Sequence, residues 1–372
     1  MTARIVVLRG APDEIFDSIR AVRDDGDVPL VGDDRWPAAQ WSAVRDLTAD
    51  APVPAGAAWA ALTSGTSGAP RAVLRTAASW ERSFAAVSGL LQTTGPADRI
   101  LLPVPPASSL TLFSLAHALG GGPRPVFPGG PGAEEATLVH GTPHALRALL
   151  DAGAAPRLRT ALVGGSHVDA RLRADAESRG IRVVGYYGAA ELSFVAVDDG
   201  RGLRAFPGVE IDVQDGELWA RSPYTALGYL GEPGPLRTGG AWSTVGDLAT
   251  VDDHGTLTVR GRADSAILTA SATVVPDEVE AGLRTLPGVA DAVVFGIPTP
   301  RVGALVAAMV EVDDGAPPPT VSRLRSLAET RFAPAHRPRV WFAGPLPRTA
   351  SGKPARAEVL RRIGTGEVSR LG

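Results

Sequence analysis

The chain has 372 residues, 44% of them hydrophobic, which is enough for two domains and a sizeable core. A net charge of -3 with no long basic run argues against nucleic acid or an anionic membrane surface as the main partner. The lack of cysteine excludes disulfides, thiolate metal sites and a cysteine nucleophile, so any thioester chemistry must take its thiol from another molecule.

No apolar stretch approaches the ~20 residues of a membrane-spanning helix. Asp13, Glu14 and Asp17 are foreign to a secretory signal, and a cytoplasmic protein is expected. Residues 12–24 predict an amphipathic helix, 49–57 a Pro/Ala-rich loop, and 59–62 a short buried strand that enters a Gly/Ser/Thr-rich loop. The pattern is helical from 76 to about 91, and 120–133 reads as a Gly/Pro loop. Helices at 142–151 and 169–179 alternate with strands at 160–163 and 181–185, which predicts α/β layers. Strand-and-turn patterning fills 209–257. A helix at 276–286, strands at 290–296 and 305–312, a loop at 313–319 and a helix at 321–332 follow. The expected fold class is therefore α/β, with a large N-terminal α/β domain over 1–261 and a small α+β domain over 262–372.

Of the 37 Lys plus Arg residues, only Lys353 is lysine. A composition that prefers arginine wherever a generic cation suffices draws attention to the site where it keeps a compact ammonium. Lys353 lies in Leu346-Pro-Arg-Thr-Ala-Ser-Gly-Lys353. A second segment, Thr63-Ser64-Gly65-Thr66-Ser67-Gly68-Ala-Pro-Arg71, has the glycines, hydroxyls and cation that let backbone and side chains hold a polyphosphate. It is no Walker A loop, because no Gly-Lys-Ser/Thr ends it. A third, Gly185-Tyr-Tyr187-Gly188-Ala189-Ala190-Glu191, brings an aromatic for stacking and a carboxylate for a hard cation. A fourth places Asp247 ahead of Gly261-Arg262-Ala-Asp264, a carboxylate for hydroxyls and a guanidinium beside it. Each segment taken alone also reads as an ordinary polar turn or strand end.

In this order and spacing the segments resemble the superfamily of acyl-CoA synthetases, adenylation domains and luciferases, over about four-fifths of the chain, from residue 62 to 356. The resemblance implies that a carboxylic acid is activated with ATP and Mg²⁺ as an acyl-AMP and passed to a thiol. It implies that Thr63 to Gly68 and Arg71 hold the β- and γ-phosphates. Tyr187, Gly188 and Ala189 would lie near adenine, with Glu191 binding the metal. Gly164, Gly165 and Ser166 would run along the adenine and acyl pocket. Asp247 would grip ribose with Arg262 beside it, and Asp264 would be the hinge of a mobile C-terminal domain. Lys353 would contact the acyl carboxylate and the α-phosphate.

The chain departs from the pattern at Ala190, where the family has a threonine, at Leu268 and Ser271, where it has lysine and glycine, and in a short region before the phosphate loop. Compact members such as succinylbenzoate–CoA ligases share that shortness. The 103–119 stretch would line the acyl pocket, with Ser108, Leu112 and Phe113 as candidates; a buried helix with ordinary core contacts is the equal alternative. It carries no Asp or Lys clamp for an amino acid, so an apolar or aryl acid is expected. His117, His140, His144 and His167 have no metal-like spacing and read as structural. Three functional readings stay open: a ligase using coenzyme A, an enzyme loading a carrier-protein phosphopantetheine, and a non-catalytic adenylate binder. A homodimer is a further expectation, on the ground that a shortened N-terminal domain exposes apolar surface.

Overall fold

Several runs of four apolar-rich residues become strands buried along their whole length, as parallel strands covered on both faces require. The computed structural model describes residues 3–49, 51–63, 71–93, 95–165, 167–262, 267–269, 273–299, 303–313, 319–349 and 352–372.

Among them, the first sheet orders strands Ile5–Leu8, Val28–Val31, Ala57–Thr63, Arg71–Thr76 and Gly228–Leu230. Its first three strands are parallel and the others antiparallel. A seven-stranded sheet follows. Its parallel run is Arg182–Ala189, Thr160–Val163, Leu138–Gly141, Arg99–Leu101 and Arg124–Val126. Ser193–Asp198 and Arg204–Ala205 extend it antiparallel. Helices Ala78–Leu91, Ser109–Leu119, Pro143–Asp151 and Ala170–Ser178 alternate with these strands. A third, antiparallel sheet contains Glu217–Arg221, Asp247–Val251 and Leu257–Arg262. Beyond it, Val289–Thr299, Gly303–Val312 and Val340–Ala343 form a small sheet accompanied by helices Pro276–Arg284, Val321–Arg331 and Arg356–Gly364.

The apolar clusters built from residues up to 259 share no member with those built from residue 267 onward. No helix among the described residues is long and apolar enough to cross a membrane. Among the described residues the large apolar side chains left exposed are Leu227, just before the strand Gly228–Leu230, Val251 on the strand Asp247–Val251 and Leu360 on the helix Arg356–Gly364, which are apart in the chain.

Two expectations need correction. The helix expected from residue 76 begins at Ala78, and the preceding Arg71–Thr76 is a strand paired with Ala57–Thr63. The 120–133 segment is not all loop, because Arg124–Val126 joins the seven-stranded sheet beside Arg99–Leu101.

Candidate active site

The strand Ala57–Thr63 folds back on Arg71–Thr76 with Thr63 opposite Arg71. The residues between, including Ser64, Gly65, Thr66, Ser67 and Gly68, lie outside the described residues. Arg71 donates to the Pro233 carbonyl at 2.7 Å and lies 5.5 Å from the Tyr229 ring centroid. Its Nε is buried without a hydrogen-bond partner among the described residues, an arrangement that an anion would complete.

Tyr229 joins this strand to the carboxylate segment. Its hydroxyl donates to Glu191 Oε1 at 2.8 Å and accepts from the Leu236 N–H at 2.9 Å. Burial, reinforced by the Glu191 charge, pushes the phenol pKa up and keeps it a donor. Glu191 is only 5% exposed. Behind it stands Arg75, fully buried. Its guanidinium donates to the carbonyls of Ala190 (2.9 Å), Glu191 (3.1 Å) and Tyr224 (2.7 Å) and to Ser79 Oγ (3.1 Å). Burial draws the Arg75 pKa down to about 9, against the raising effect of Glu191, so it stays charged at neutral pH. Ala190, where the family has threonine, thus contributes its carbonyl to this brace.

Gly188 is a glycine for lack of space: a Cβ there would fall 2.1 Å from the Ser193 carbonyl oxygen. Next to it, Tyr187 donates its hydroxyl to Asp247 Oδ2, which ties the aromatic expected at adenine to the carboxylate expected at ribose. Asp247 is the register partner of Arg262 across two antiparallel strands. The Arg262 side chain and Asp264 lie outside the described residues, as does Ser166.

Lys353 reaches this region from the C-terminal sheet. Gly165 has φ +88°, and a Cβ on it would stand 3.1 Å from Lys353 Cε and 3.7 Å from Nζ. The neighbouring Gly164 packs on Tyr186, whose ring would lie 2.1 Å from a Cβ there. A Cβ on Gly352 would meet the His144 ring at 2.7 Å, so the turn carrying the lysine rests on the start of the helix Pro143–Asp151. Lys353, Gly165, Gly164, Tyr186, Tyr187 and Asp247 therefore form one continuous path, although they come from four separate segments.

Beneath that path runs a buried polar chain. Tyr186 Oη lies 2.9 Å from His140 Nε2, and His140 Nδ1 lies 2.7 Å from Ser114 Oγ. His117 sits beside it, 2.9 Å from Ser88 Oγ. Burial lowers the pKa of His140 to about 3 and that of His117 to about 4, so both rings are neutral. Leu112 and Phe113 are buried, and Phe113 packs edge-on against Trp80, Phe84 and Phe194.

Sequence reasoning missed Arg75 and Tyr229. Arg75 left a signal, a lone cation within the apolar run Ala72-Val-Leu-Arg-Thr; Tyr229 left none. Among the described residues no three His, Asp or Glu gather as a metal cluster.

Known proteins resemble this chain in sequence and fold. The model of the AMP-binding enzymes matches residues 3–230, and that of the AMP-binding enzyme C-terminal domain matches residues 278–353. The chain is 35% identical over 327 residues to a probable 2-succinylbenzoate–CoA ligase of Mycobacterium tuberculosis, covering 81% of this chain and 83% of that protein. It is 31% identical to a feruloyl-CoA synthase of Amycolatopsis, covering 89% and 75%. The fold matches ATP-bound MatB of Rhodopseudomonas palustris with a TM-score of 0.81 at 19% identity, over 98% of this chain and 89% of that one. It also matches the o-succinylbenzoate CoA synthetase of Bacillus subtilis in complex with its acyl-adenylate, with a TM-score of 0.77 at 21% identity, over 96% and 87%.

Proposed function

The chain belongs to the AMP-binding enzyme family, and on that premise we propose that it is an ATP-dependent acid–thiol ligase acting on an apolar or aryl carboxylic acid, with coenzyme A as acceptor. The observation that carries this reading is the placement of Lys353 at Gly165, on the path that leads through Tyr186 and Tyr187 to Asp247. The substrate class draws support from the relatives named for succinylbenzoate and ferulate, both aryl acids.

In the first half-reaction, a carboxylate oxygen of the acid attacks the α-phosphorus of ATP. The bond from that phosphorus to the bridging oxygen breaks and pyrophosphate leaves. Two anions meet in this step, and the compact ammonium of Lys353 offsets the charge that develops between them. Asp247 accepts from ribose hydroxyls and Tyr187 flanks adenine; Arg262 lies nearby. Arg71 and the 63–68 segment hold the outer phosphates. Mg²⁺ fits Glu191, a fixed carboxylate with one oxygen already oriented by Tyr229, and when bound it neutralises phosphate charge. In the second half-reaction the thiol sulfur attacks the acyl carbonyl, AMP departs and the thiol proton is released. We assign Asp264 as the hinge, with the domain boundary at 261/262, for the rotation that withdraws Lys353 between the halves. A cytoplasmic location follows from where ATP and coenzyme A are available.

The test is pyrophosphate release across a panel of aryl and fatty acids, with and without coenzyme A, alongside mass spectrometry of the products. Acid-dependent release with a new coenzyme A thioester is the expected result. Release with no thioester would move the acceptor to a carrier protein. No release with any acid would defeat the reading.

A further inference from the structure

Lys353 must be held to within about an ångström, since misplacement on that scale costs roughly a hundredfold in rate. We infer that Arg348 is the positioning residue that sets the height and direction of the Lys353 turn; the inference rests on the ligase reading above. The turn is a short excursion. Arg348 bridges to Pro354, the Thr349 N–H donates to the Lys353 carbonyl at 2.7 Å, and the Gly352 N–H donates to the Thr349 carbonyl at 2.9 Å. Arg348 ties the described residues of this turn to the strands below. Its Nη1 donates to the Gly352 carbonyl at 3.2 Å, one residue before the lysine, and to Asp291 Oδ2 at 2.9 Å. Its Nη2 donates to Glu311 Oε2.

The two carboxylates are register partners on adjacent antiparallel strands, Asp291 directly opposite Glu311. Like charges so placed repel unless a cation lies between them. Arg348 is that cation, and each carboxylate is also anchored: Asp291 accepts from Arg284 at 3.1 Å, and Glu311 Oε1 accepts from the Leu346 N–H at 2.8 Å. One guanidinium thus links sheet, strand entry and turn. A planar fork reaches three acceptors in fixed directions, whereas an ammonium does not. This gives a physical reason why arginine stands at 348 and lysine at 353. The first position needs a fork to hold geometry; the second needs a compact charge to meet a reacting oxygen. Because two carboxylates flank it, Arg348 acts through Lys353 and not on the substrate.

The experiment compares wild type, Arg348→Ala, Arg348→Lys, Lys353→Ala and the Arg348→Ala/Lys353→Ala double variant in the two half-reactions separately. Acyl-AMP formation is followed by pyrophosphate release, and thioester formation from supplied acyl-AMP and coenzyme A. In Arg348→Ala, kcat for acyl-AMP formation falls by roughly ten- to a hundredfold, KM for ATP and acid stays within about threefold, and thioester formation is unchanged. Arg348→Lys recovers only part of the loss. In the Lys353→Ala background the second substitution has no further effect, because nothing is left to position. Amide exchange in the 347–355 turn rises in Arg348→Ala whatever the activity. An equal loss in both halves, multiplicative losses in the double variant, or unchanged exchange would overturn the inference. Wild-type protein that forms no acyl-AMP would instead overturn the ligase reading on which it rests.

Discussion

Two arginines brace two halves of the candidate site under opposite conditions. Arg75, in the N-terminal part, is fully buried and donates to carbonyls of Ala190, Glu191 and Tyr224 and to Ser79. Arg348, in the C-terminal part, has a side chain 21% exposed and works through Asp291 and Glu311. Burying a cation among neutral acceptors carries a desolvation penalty that only a fixed structure can support. A partly hydrated ion cluster loses little if its surroundings rearrange. The contrast suits the proposal that the Glu191 side of the site is built into the core while the Lys353 side withdraws between half-reactions.

The sharpest way to break the comparison is to remove each brace. Arg75→Met takes the guanidinium donor away from the Ala190 and Tyr224 carbonyls, while the Glu191 carbonyl keeps the Ala226 N–H, and is expected to destabilise the fold by about 3–5 kcal/mol in urea unfolding. Arg348→Met leaves the partly buried Asp291 and Glu311 facing each other without their cation and is expected to cost about 1–3 kcal/mol by the same measurement, less than Arg75→Met. Equal losses would erase the distinction. Next in size, Lys353→Ala should slow acyl-AMP formation by roughly a hundred- to a thousandfold in a pyrophosphate assay, with the unfolding midpoint unmoved.

The buried histidines add a pH dependence on the N-terminal side. The unfolded chain protonates these rings near their ordinary value of 6.5, while the fold holds His117 near 4 and His140 near 3. The unfolded state therefore binds more protons below about pH 6.5, and stability falls as pH drops toward 4 and 3. The expected loss between pH 6.5 and 5 is on the order of 2 kcal/mol per ring, read from urea midpoints and relieved by His140→Asn. A flat profile over that interval would place both rings in contact with water. A smaller effect is expected from Gly165→Ala, which forces an alanine to φ +88° and a methyl against Lys353 Cε. Acyl-AMP formation should drop about tenfold, and by more than thioester formation from supplied acyl-AMP, which does not need Lys353 at Gly165. Smallest of all, salt raised to about 0.5 M should slow acyl-AMP formation less than about twofold, since partly buried pairs are poorly screened.

The expected helices and most strands were legible because periodicity is a local property. Residues 12–24 form a helix with those bounds, and 142–151 differs from the observed Pro143–Asp151 by one residue. The strand Arg71–Thr76 escaped because its alternation runs without a break into a helical pattern, and Arg124–Val126 because three residues amid Gly and Pro carry too little pattern. The site divides in the same way. Segments that keep their candidate chemistry contiguous, such as Gly185 to Glu191, stand out as motifs in the sequence. Arg75 could not be matched to its acceptors, because Ala190 and Glu191 lie 115 and 116 residues away. Arg348 reaches Asp291 across 57 residues and Glu311 across 37, so its partners emerge only once the strands are in register.

The meeting of Lys353 with Gly165 makes the molecule its own reporter. The chain has one lysine and no cysteine, so an amine-selective reagent has a single side-chain target, at the seam between the two parts of the protein. Labelling rate at that amine would follow its withdrawal from Gly165 directly, in unsubstituted protein. A cysteine introduced anywhere would be unique, and a dye attached to it could time the same movement.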